Sequence, residues 1–345
     1  MPAHLAANDA AAAHRPASRS LARRYAGVLL APSEIAMRRI ALAGTAAAVG
    51  IMLTGAGVRL SQSGLGCPDW PRCTATGFVA GGTTGDPLIH RWIEFSNRLV
   101  GVAVFAVAVL VWVAAWRYRP GGGRRRRDLV WLASAQPAGI VAQAAIGGVV
   151  VLTKLNPVWV SVHFLLSIAV VAAAVALQVR CTESTAPATS LVRPELRLFA
   201  FGVLGVVAVM LAAGTVVTGT GPLAGAASVA RYHLKLSAVT QLHADIGWLL
   251  GGLAIALVLA LRLTAAPARA VRLGWLFVVL LGVQGSIGYG QYFSGLPAGL
   301  VWVHVAGATA IWVTALWLIF ALRDRGSALE QLDLLPDPVR PAVAD

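Results

Sequence analysis

The sequence predicts an all-α integral membrane protein whose eight transmembrane helices form two tandem, pseudo-symmetric four-helix bundles. Its composition is 58% hydrophobic and only 12% charged, whereas soluble domains carry roughly 25% charged residues. Apolar stretches of about 20 residues, the length that crosses a bilayer, recur along the chain. The second half of the chain also repeats a residue pattern of the first half. The composition and the spans predict the fold class, and the repeat predicts the two bundles.

The predicted helices divide the chain into two bundles joined by a linker. Residues 37–180 form the N-terminal bundle, with an outer loop at 61–90, and residues 197–322 form the C-terminal bundle. A cytoplasmic linker at 181–196 joins them. The eight spans lie near residues 37–60, 92–116, 129–152, 157–179, 197–218, 238–261, 271–292 and 298–322.

The two ends of the chain differ in composition from the spans. Residues 1–36 are rich in Ala and Arg and have no apolar core followed by a small-residue cleavage site. They therefore predict a disordered cytoplasmic tail rather than a signal peptide. Residues 323–345 are interrupted by Pro336, Pro338 and Pro341, and they predict a second cytoplasmic tail.

Lys and Arg are unevenly distributed between the two sides of the predicted spans. Of the 28 such residues, 21 fall on one side and the remaining 7 on the other. Because Lys and Arg are retained on the cytoplasmic side, both termini are predicted to be cytoplasmic. The GGGRRRR run at 121–127 is interpreted as a solvated loop on that side. The formal net charge of +14 is thus explained by membrane topology, and no nucleic-acid partner is expected.

The repeat is visible in the spacing between a glutamine and a histidine. Residues 143–147 read QAAIG and precede His163, and residues 284–288 read QGSIG and precede His304. The distance from Gln to His is 20 residues in both copies. Both copies begin with a helix that starts on the cytoplasmic side, so the duplication is a parallel repeat rather than an inverted one.

The repeat defines four equivalent positions, one on each even-numbered helix. The segment NRLVG at 97–101 aligns with HADIG at 243–247, just as GAGV at 55–58 aligns with GTVV at 214–217. The four positions are Asn97, His163, His243 and His304. Each lies within about two helical turns of the outer end of its predicted helix, at a similar depth in the outer half of the membrane.

Three histidines at equivalent depth predict a ligand site. A single buried histidine is more often a hydrogen-bonded structural residue, but ionisable side chains inside a membrane are costly and usually functional. Four-helix bundles build cofactor sites from side chains on facing helices, and neutral imidazole suits haem iron and several transition metals. Zinc or di-iron sites want three or four protein ligands, which the sequence does not supply near His163 and His304. Haem needs only two axial imidazoles and is the better fit.

The outer loop and the start of the second helix carry a family resemblance. Residues 57–73 read GVRLSQSGLGCPDWPRC, and residues 94–98 read EFSNR. The loop resembles that of haem A synthases of the bacterial CtaA / mitochondrial Cox15 type. The second segment resembles their Glu-x-x-His-Arg signature, with Asn in place of His. The resemblance covers roughly residues 37–322.

This resemblance implies an enzyme that oxidises a ring methyl of haem O to a formyl group, giving haem A. It implies a haem b cofactor in the C-terminal half, with His243 and His304 as the axial ligands. Substrate haem O would lie in the N-terminal half and face His163. Because Asn97 replaces the usual histidine, we expect either a five-coordinate substrate iron or a water molecule held by Asn97. Haem O synthase and a terminal oxidase are implied as metabolic neighbours.

Glu94, Arg98 and two cysteines complete the candidate site. Glu94 matches the family's essential carboxylate and could stabilise positive charge or accept a proton during methyl oxidation. Arg98 lies four residues later on the same helix face, where it would hold Glu94 ionised or bind a haem propionate; an ordinary ion pair is the alternative. Cys67 and Cys73 lie on the outer, oxidising side and predict a disulfide, with a metal-binding pair as the weaker alternative.

Two other functions are compatible with a membrane protein that carries histidines. A dihaem electron carrier of the cytochrome b561 type should place one haem near each membrane face, whereas all candidate ligands here lie in the outer half. A haem transporter usually has broken helices and polar groups at the midplane, and the sequence offers few of either. The composition and the lack of a mitochondrial presequence favour a multi-pass protein of a bacterial plasma membrane.

Overall fold

A computed structural model describes residues 32–75, 77–80, 87–120 and 123–327. Most of the predicted N-terminal tail, part of the outer loop and residues 328–345 of the predicted C-terminal tail lie outside these ranges. The described elements are α1 (Glu34–Leu60), α2 (Leu88–Arg117), α3 (Arg127–Leu152), α4 (Pro157–Arg180), β1 (Thr189–Ser190), α5 (Pro194–Thr220), α6 (Leu236–Leu263), α7 (Ala268–Phe293), α8 (Ala298–Ala321) and β2 (Arg323–Asp324).

The predicted spans are confirmed as helices. Within the described ranges, eight helices are long and apolar enough to cross a membrane. The largest difference from the sequence prediction is at α2, which begins at Leu88 rather than at residue 92. Helix α1 also begins within the predicted tail, because the Ser33 hydroxyl accepts the Ala36 N–H and caps its first turn. Asn156 caps α4 in the same way through the N–H of Val158.

Each helix packs against the next one along the chain. Helix α1 also packs against α4, and α5 packs against α8. The first four helices meet the last four through contacts of α4 with α5 and α8, and of α1 with α8. We call the end at which the odd-numbered helices begin the inner end, after the predicted orientation, and the opposite end the outer end.

Side chains of α8 fasten the two sets of helices together. The indole N–H of Trp312 donates to the Ile168 carbonyl of α4 at 2.9 Å, and that of Trp302 donates to the Leu53 carbonyl of α1 at 2.9 Å. At the outer end, Arg59 of α1 donates to the Leu223 carbonyl at 2.6 Å. The largest buried apolar cluster draws residues from α1 and from α4 to α8, so the core extends across this junction.

The prediction of a solvated arginine loop at 121–127 is wrong for one of its arginines. Arg126 is buried, and it pairs with Asp128 at 2.7 Å. Arg180 pairs with the same carboxylate at 2.5 Å and with Glu183 at 2.6 Å, and Arg323 reaches Glu183 at 3.2 Å. These charges are paired across the ends of α3, α4 and α8. Arg126 is therefore buried beside the Asp128 carboxylate instead of lying in solvent.

A short antiparallel pairing also alters the predicted tail. Thr189 pairs with Asp324, and Ser190 with Arg323. The linker and the first residues after α8 therefore form β1 and β2 rather than two unstructured segments. Cys181 is a free, buried thiol beside this region, and its burial raises its pKa to about 12.

Candidate functional site

The three predicted ligand histidines share one packing arrangement. Each lies six or seven residues past the first residue of its helix, and the Cε1–Nδ1 edge of its ring lies against a glycine of the preceding helix. A methyl group added to that glycine would lie 3.2–3.3 Å from Cε1, closer than an ordinary van der Waals contact. The pairs are His163 with Gly147, His243 with Gly214, and His304 with Gly288.

This packing sets the direction of each imidazole without a hydrogen bond. The Nδ1 atoms of His163, His243 and His304 are buried and have no partner. Nor does any residue in the described part of the chain share a hydrogen bond with their Nε2 atoms. A neutral imidazole with a free ring nitrogen is the form that binds a transition metal. The glycine contacts therefore orient rings that are chemically able to act as ligands.

Two of the rings face each other in the C-terminal half. The ring centroids of His243 and His304 are 6.3 Å apart, with their planes inclined by 58°. Two imidazole nitrogens bound to opposite sides of one metal ion, each about 2 Å from it, put the ring centroids roughly 6 Å apart. The spacing thus fits a single ion between the rings. Among the described residues no group of three His, Cys, Asp or Glu is placed to hold a metal, and a haem macrocycle is one source of the other ligands.

The fourth equivalent position is different in structure as well as in sequence. Gly55 of α1 corresponds to Gly214, and a methyl group on Gly55 would meet nothing within 4 Å. No described side chain, Asn97 included, comes within 4 Å of that added carbon. Its Oδ1 atom is buried and has no hydrogen-bond partner. An unpaired buried carbonyl oxygen is costly, so this position is suited to a water molecule or a ligand group.

Two glutamines hold the backbone of the histidine helices. The amide of Gln143 donates to the His163 carbonyl at 3.0 Å and to the Ser167 hydroxyl at 2.6 Å. The amide of Gln284 donates to the His304 carbonyl at 2.7 Å. In the sequence, these glutamines and the facing glycines mark the repeat without indicating a contact by themselves. Only the shared 20-residue spacing from glutamine to histidine could have indicated that each pair is in contact.

Glu94 and Arg98 hold the outer loop. One carboxylate oxygen of Glu94 accepts the Cys67 N–H at 2.8 Å, and the other accepts from Arg98 at 2.7 Å. Arg98 also donates to the carbonyl oxygens of Cys67 at 2.9 Å, Asp69 at 3.1 Å and Arg72 at 2.9 Å. Of the two roles predicted for Arg98, the structure displays the pairing with Glu94. The loop carbonyls accept the other hydrogen bonds that Arg98 donates.

The outer loop is closed by the predicted disulfide. Cys67 and Cys73 are bonded and buried. Trp70 between them lies over Gly148 of α3, where an added methyl would be 2.7 Å from the indole ring. His90, an unlikely replacement for the missing ligand at position 97, has its Nδ1 2.7 Å from the Ser63 hydroxyl. The loop is therefore fixed against α2 and α3, and Trp70 contacts α3 one residue from the glycine that packs on His163.

Three further ionisable side chains have surroundings of their own. Asp245 is exposed and accepts a hydrogen bond from Gln241 at 2.7 Å. His233 is exposed in the segment between α5 and α6. Cys181 lies at the inner end. In the described part of the chain none of the three forms a hydrogen bond with His163, His243 or His304.

The apolar helices and the paired histidines define a helical integral membrane protein with a candidate metal-binding or haem-binding core. Residues 38–316 match the COX15-CtaA family, described as cytochrome oxidase assembly protein. The match extends over most of the chain, and the protein belongs to this family.

Curated relatives in this family are named heme A synthase. That of Symbiobacterium thermophilum is 34% identical over 137 residues, which are 37% of this chain and 39% of the relative. That of Lysinibacillus sphaericus is 32% identical over 117 residues, 34% of this chain and 35% of the relative. That of Geobacillus kaustophilus is 30% identical over 110 residues, 31% of this chain and 30% of the relative. The alignments thus span about a third of the length of these relatives.

Proposed function

We propose that this protein is a haem A synthase, which oxidises a ring methyl of haem O to a formyl group. The observation that carries the proposal is the pair of facing imidazoles in the C-terminal half, His243 and His304, with their centroids 6.3 Å apart. A third histidine occupies the equivalent position in the N-terminal half. The family and the names of the curated relatives support the same activity.

His243 and His304 would hold a haem b cofactor through their Nε2 atoms. Their Nδ1 edges lie against Gly214 and Gly288, and the surrounding helices are apolar enough to accept a porphyrin. Bound haem b would supply one-electron redox chemistry. The residues of the chain orient the ligands: the glycines fix the rings, and Gln284 fixes the backbone that carries His304.

The N-terminal half would bind substrate haem O. His163 faces this site from α4, and Asn97 faces it from α2 at the position where the repeat places a histidine elsewhere. The unpaired Oδ1 of Asn97 supports a bound water molecule there rather than direct ligation. Arg98 is assigned to the same site, where it positions Glu94 and the loop above the substrate.

Glu94 is our candidate catalytic residue. Oxidation of a methyl group releases protons and builds positive charge, and a carboxylate can accept the first and stabilise the second. The Cys67 N–H and Arg98 hold both of its oxygens, so the carboxylate is pre-positioned. We propose that it acts from this place at the outer edge of the substrate site.

Two replacements of Glu94 distinguish its proposed catalytic role from its support of the outer loop. Glu94→Gln keeps an oxygen for the Cys67 N–H but removes the charge, and Glu94→Ala removes both. We expect both variants to retain haem b and to stop forming haem A. Glu195→Gln, at an exposed position on α5, should leave haem A formation unchanged. Normal haem A formation by Glu94→Ala would refute the assignment.

We further propose the predicted arrangement of two tandem pseudo-symmetric bundles, 37–180 and 197–322, with both termini cytoplasmic. The helix contacts and the repeated histidine–glycine pairs support it. The plasma membrane of a bacterium, with its lipid, is the proposed location, and haem O synthase and a terminal oxidase are the proposed metabolic partners.

Pigment analysis tests the activity. The protein is expressed with a source of haem O, and the extracted porphyrins are identified by chromatography and mass spectrometry. Haem A in the extract is the expected result. Haem b alone would instead favour a dihaem carrier of the cytochrome b561 type, and the absence of any haem would favour a transporter. The carrier is disfavoured because every candidate ligand follows the start of an even-numbered helix, at one end of the molecule.

A further inference from the structure

A cavity of about 400 Å³ opens at the inner end of the molecule, between the two halves. Arg38 and Arg39 of α1 line one wall, and Arg269 of α7 lines the other. Gln178 of α4 and Trp317 of α8 lie between these walls. The haem ligands are at the opposite end, because Gln178 follows His163 by fifteen residues of one helix, or about 22 Å along its axis. This cavity is therefore separate from the proposed haem sites.

The cavity carries positive charge that the described residues do not neutralise. Arg38 forms an ion pair with Glu34 one turn earlier. Within the described ranges neither Arg39 nor Arg269 forms an ion pair, and both are exposed. In contrast, the neighbouring arginines Arg126 and Arg180 are paired with carboxylates. Two unneutralised guanidinium groups facing one cavity favour an anionic ligand.

The deeper walls of the cavity are apolar. Leu42 lies one helical turn beyond Arg38, and Leu273 lies one turn beyond Arg269. Both line the cavity together with Trp317, and Leu42 remains 52% exposed. Gln178 adds a buried side-chain oxygen that has no hydrogen-bond partner. The cavity is thus polar and cationic at the membrane surface and apolar one turn further in.

We propose that this cavity binds an anionic phospholipid. The lipid phosphate lies between Arg39 and Arg269, and the glycerol ester region lies near Gln178. An acyl chain runs along Leu42, Leu273 and Trp317. Basic pockets between transmembrane helices on the cytoplasmic side are known to bind anionic headgroups. Because the walls belong to α1 and α7, the lipid connects the two halves. The proposal is independent of the haem chemistry.

The test measures lipid retention and thermal stability of the purified full-length protein in detergent. Phosphatidylglycerol, phosphatidylcholine and inorganic phosphate are added separately, and bound lipid is counted by native mass spectrometry. We expect phosphatidylglycerol to remain bound and to raise the melting temperature, whereas the other two do neither. Equal retention of the two lipids would overturn the proposal. Equal stabilisation by inorganic phosphate would overturn the assignment of a lipid.

Charge variants locate the site. R39Q/R269Q should weaken phosphatidylglycerol binding by roughly thirtyfold, given the contribution of two arginines at a membrane surface. R39K/R269K keeps the charge and should retain most of the binding. R272Q, at an exposed position on α7 outside the cavity, should bind like the unmodified protein. Unchanged binding by R39Q/R269Q, or an equal loss in R272Q, would contradict the proposed site.

Discussion

At the scale of single residues, the contact between a glycine and an imidazole is the feature that repeats. It occurs at His163, His243 and His304, and it is absent at Asn97. In soluble metal sites a hydrogen bond to the second ring nitrogen usually fixes the ligand. Here the glycine of the neighbouring helix orients the ring by direct packing. The ring edge lies so close to the glycine backbone that a larger residue at the glycine position would not fit without displacing the ring.

Methyl groups at the glycines should therefore disturb the ligands. Gly214→Ala and Gly288→Ala each place a carbon 3.2 Å from a ring carbon, so the ring must move by a few tenths of an ångström. We expect haem b affinity to fall roughly tenfold, as for other changes to ligand-orienting groups. The haem content per protein, measured by absorption of the extracted pigment, gives the result.

Gly55→Ala is the matched control for these variants. The substitution is the same, at the equivalent position of the first helix, but nothing lies within 4 Å of the added carbon. Haem content should not change. If all three alanine variants lost haem equally, a general effect of alanine would replace the orienting contact as the explanation.

The departure at Asn97 gives a second prediction at this scale. Asn97→His should direct an imidazole into the open space beside Gly55 and supply the missing ligand opposite His163. We expect the substrate haem to change to a low-spin, six-coordinate state, visible by electron paramagnetic resonance and optical absorption. Asn97→Gln is the control, because it adds length without an imidazole. An unchanged spectrum in the histidine variant would show that position 97 does not face the substrate iron.

At the scale of elements, the outer loop depends on α2. Arg98 contacts three loop carbonyls and Glu94, and hydrogen bonds to charged groups are worth about 1.5–3 kcal/mol each. Arg98→Ala should release the loop, so the Cys67–Cys73 disulfide should be reduced at least about tenfold faster by a soluble phosphine. Mass spectrometry after alkylation follows the rate.

Arg72→Ala is the control for loop release. Arg72 is exposed, and its guanidinium donates only to the Ala75 carbonyl among the residues that the structure covers. Its loss should leave the rate of reduction unchanged. Equal rates in Arg98→Ala and in the unmodified protein would mean that the loop is held by other contacts, such as Trp70 on Gly148.

The elements were largely predictable, whereas the contacts between them were not. Hydrophobic length fixes where a chain crosses a membrane, so the helices were placed to within a few residues. The hydrogen bond from the Cys67 N–H to Glu94 depends on how a loop folds back onto a helix 27 residues away, which no local pattern encodes. The burial of Arg126 likewise depends on the Asp128 carboxylate and the backbone carbonyl of Glu183, which lies 57 residues further along the chain.

At the scale of the whole molecule, we propose that duplication provides two related sites with separate tasks. The half with His243 and His304 has both ligands and fits a permanently bound cofactor. The half with Asn97 and His163 has one imidazole and an open space, which suits a haem that must enter and leave. The sequence predicted this asymmetry from one substitution in the repeat, and the empty space beside Gly55 supplies its physical basis.

The proposed ligands of the cofactor haem can be tested most directly by low-temperature electron paramagnetic resonance of the purified protein. The unmodified protein and His163→Ala should both give the low-spin signal of a haem b with two axial imidazoles. His243→Ala and His304→Ala should each lose that signal. A low-spin haem b signal that persists in both of these variants would contradict the account.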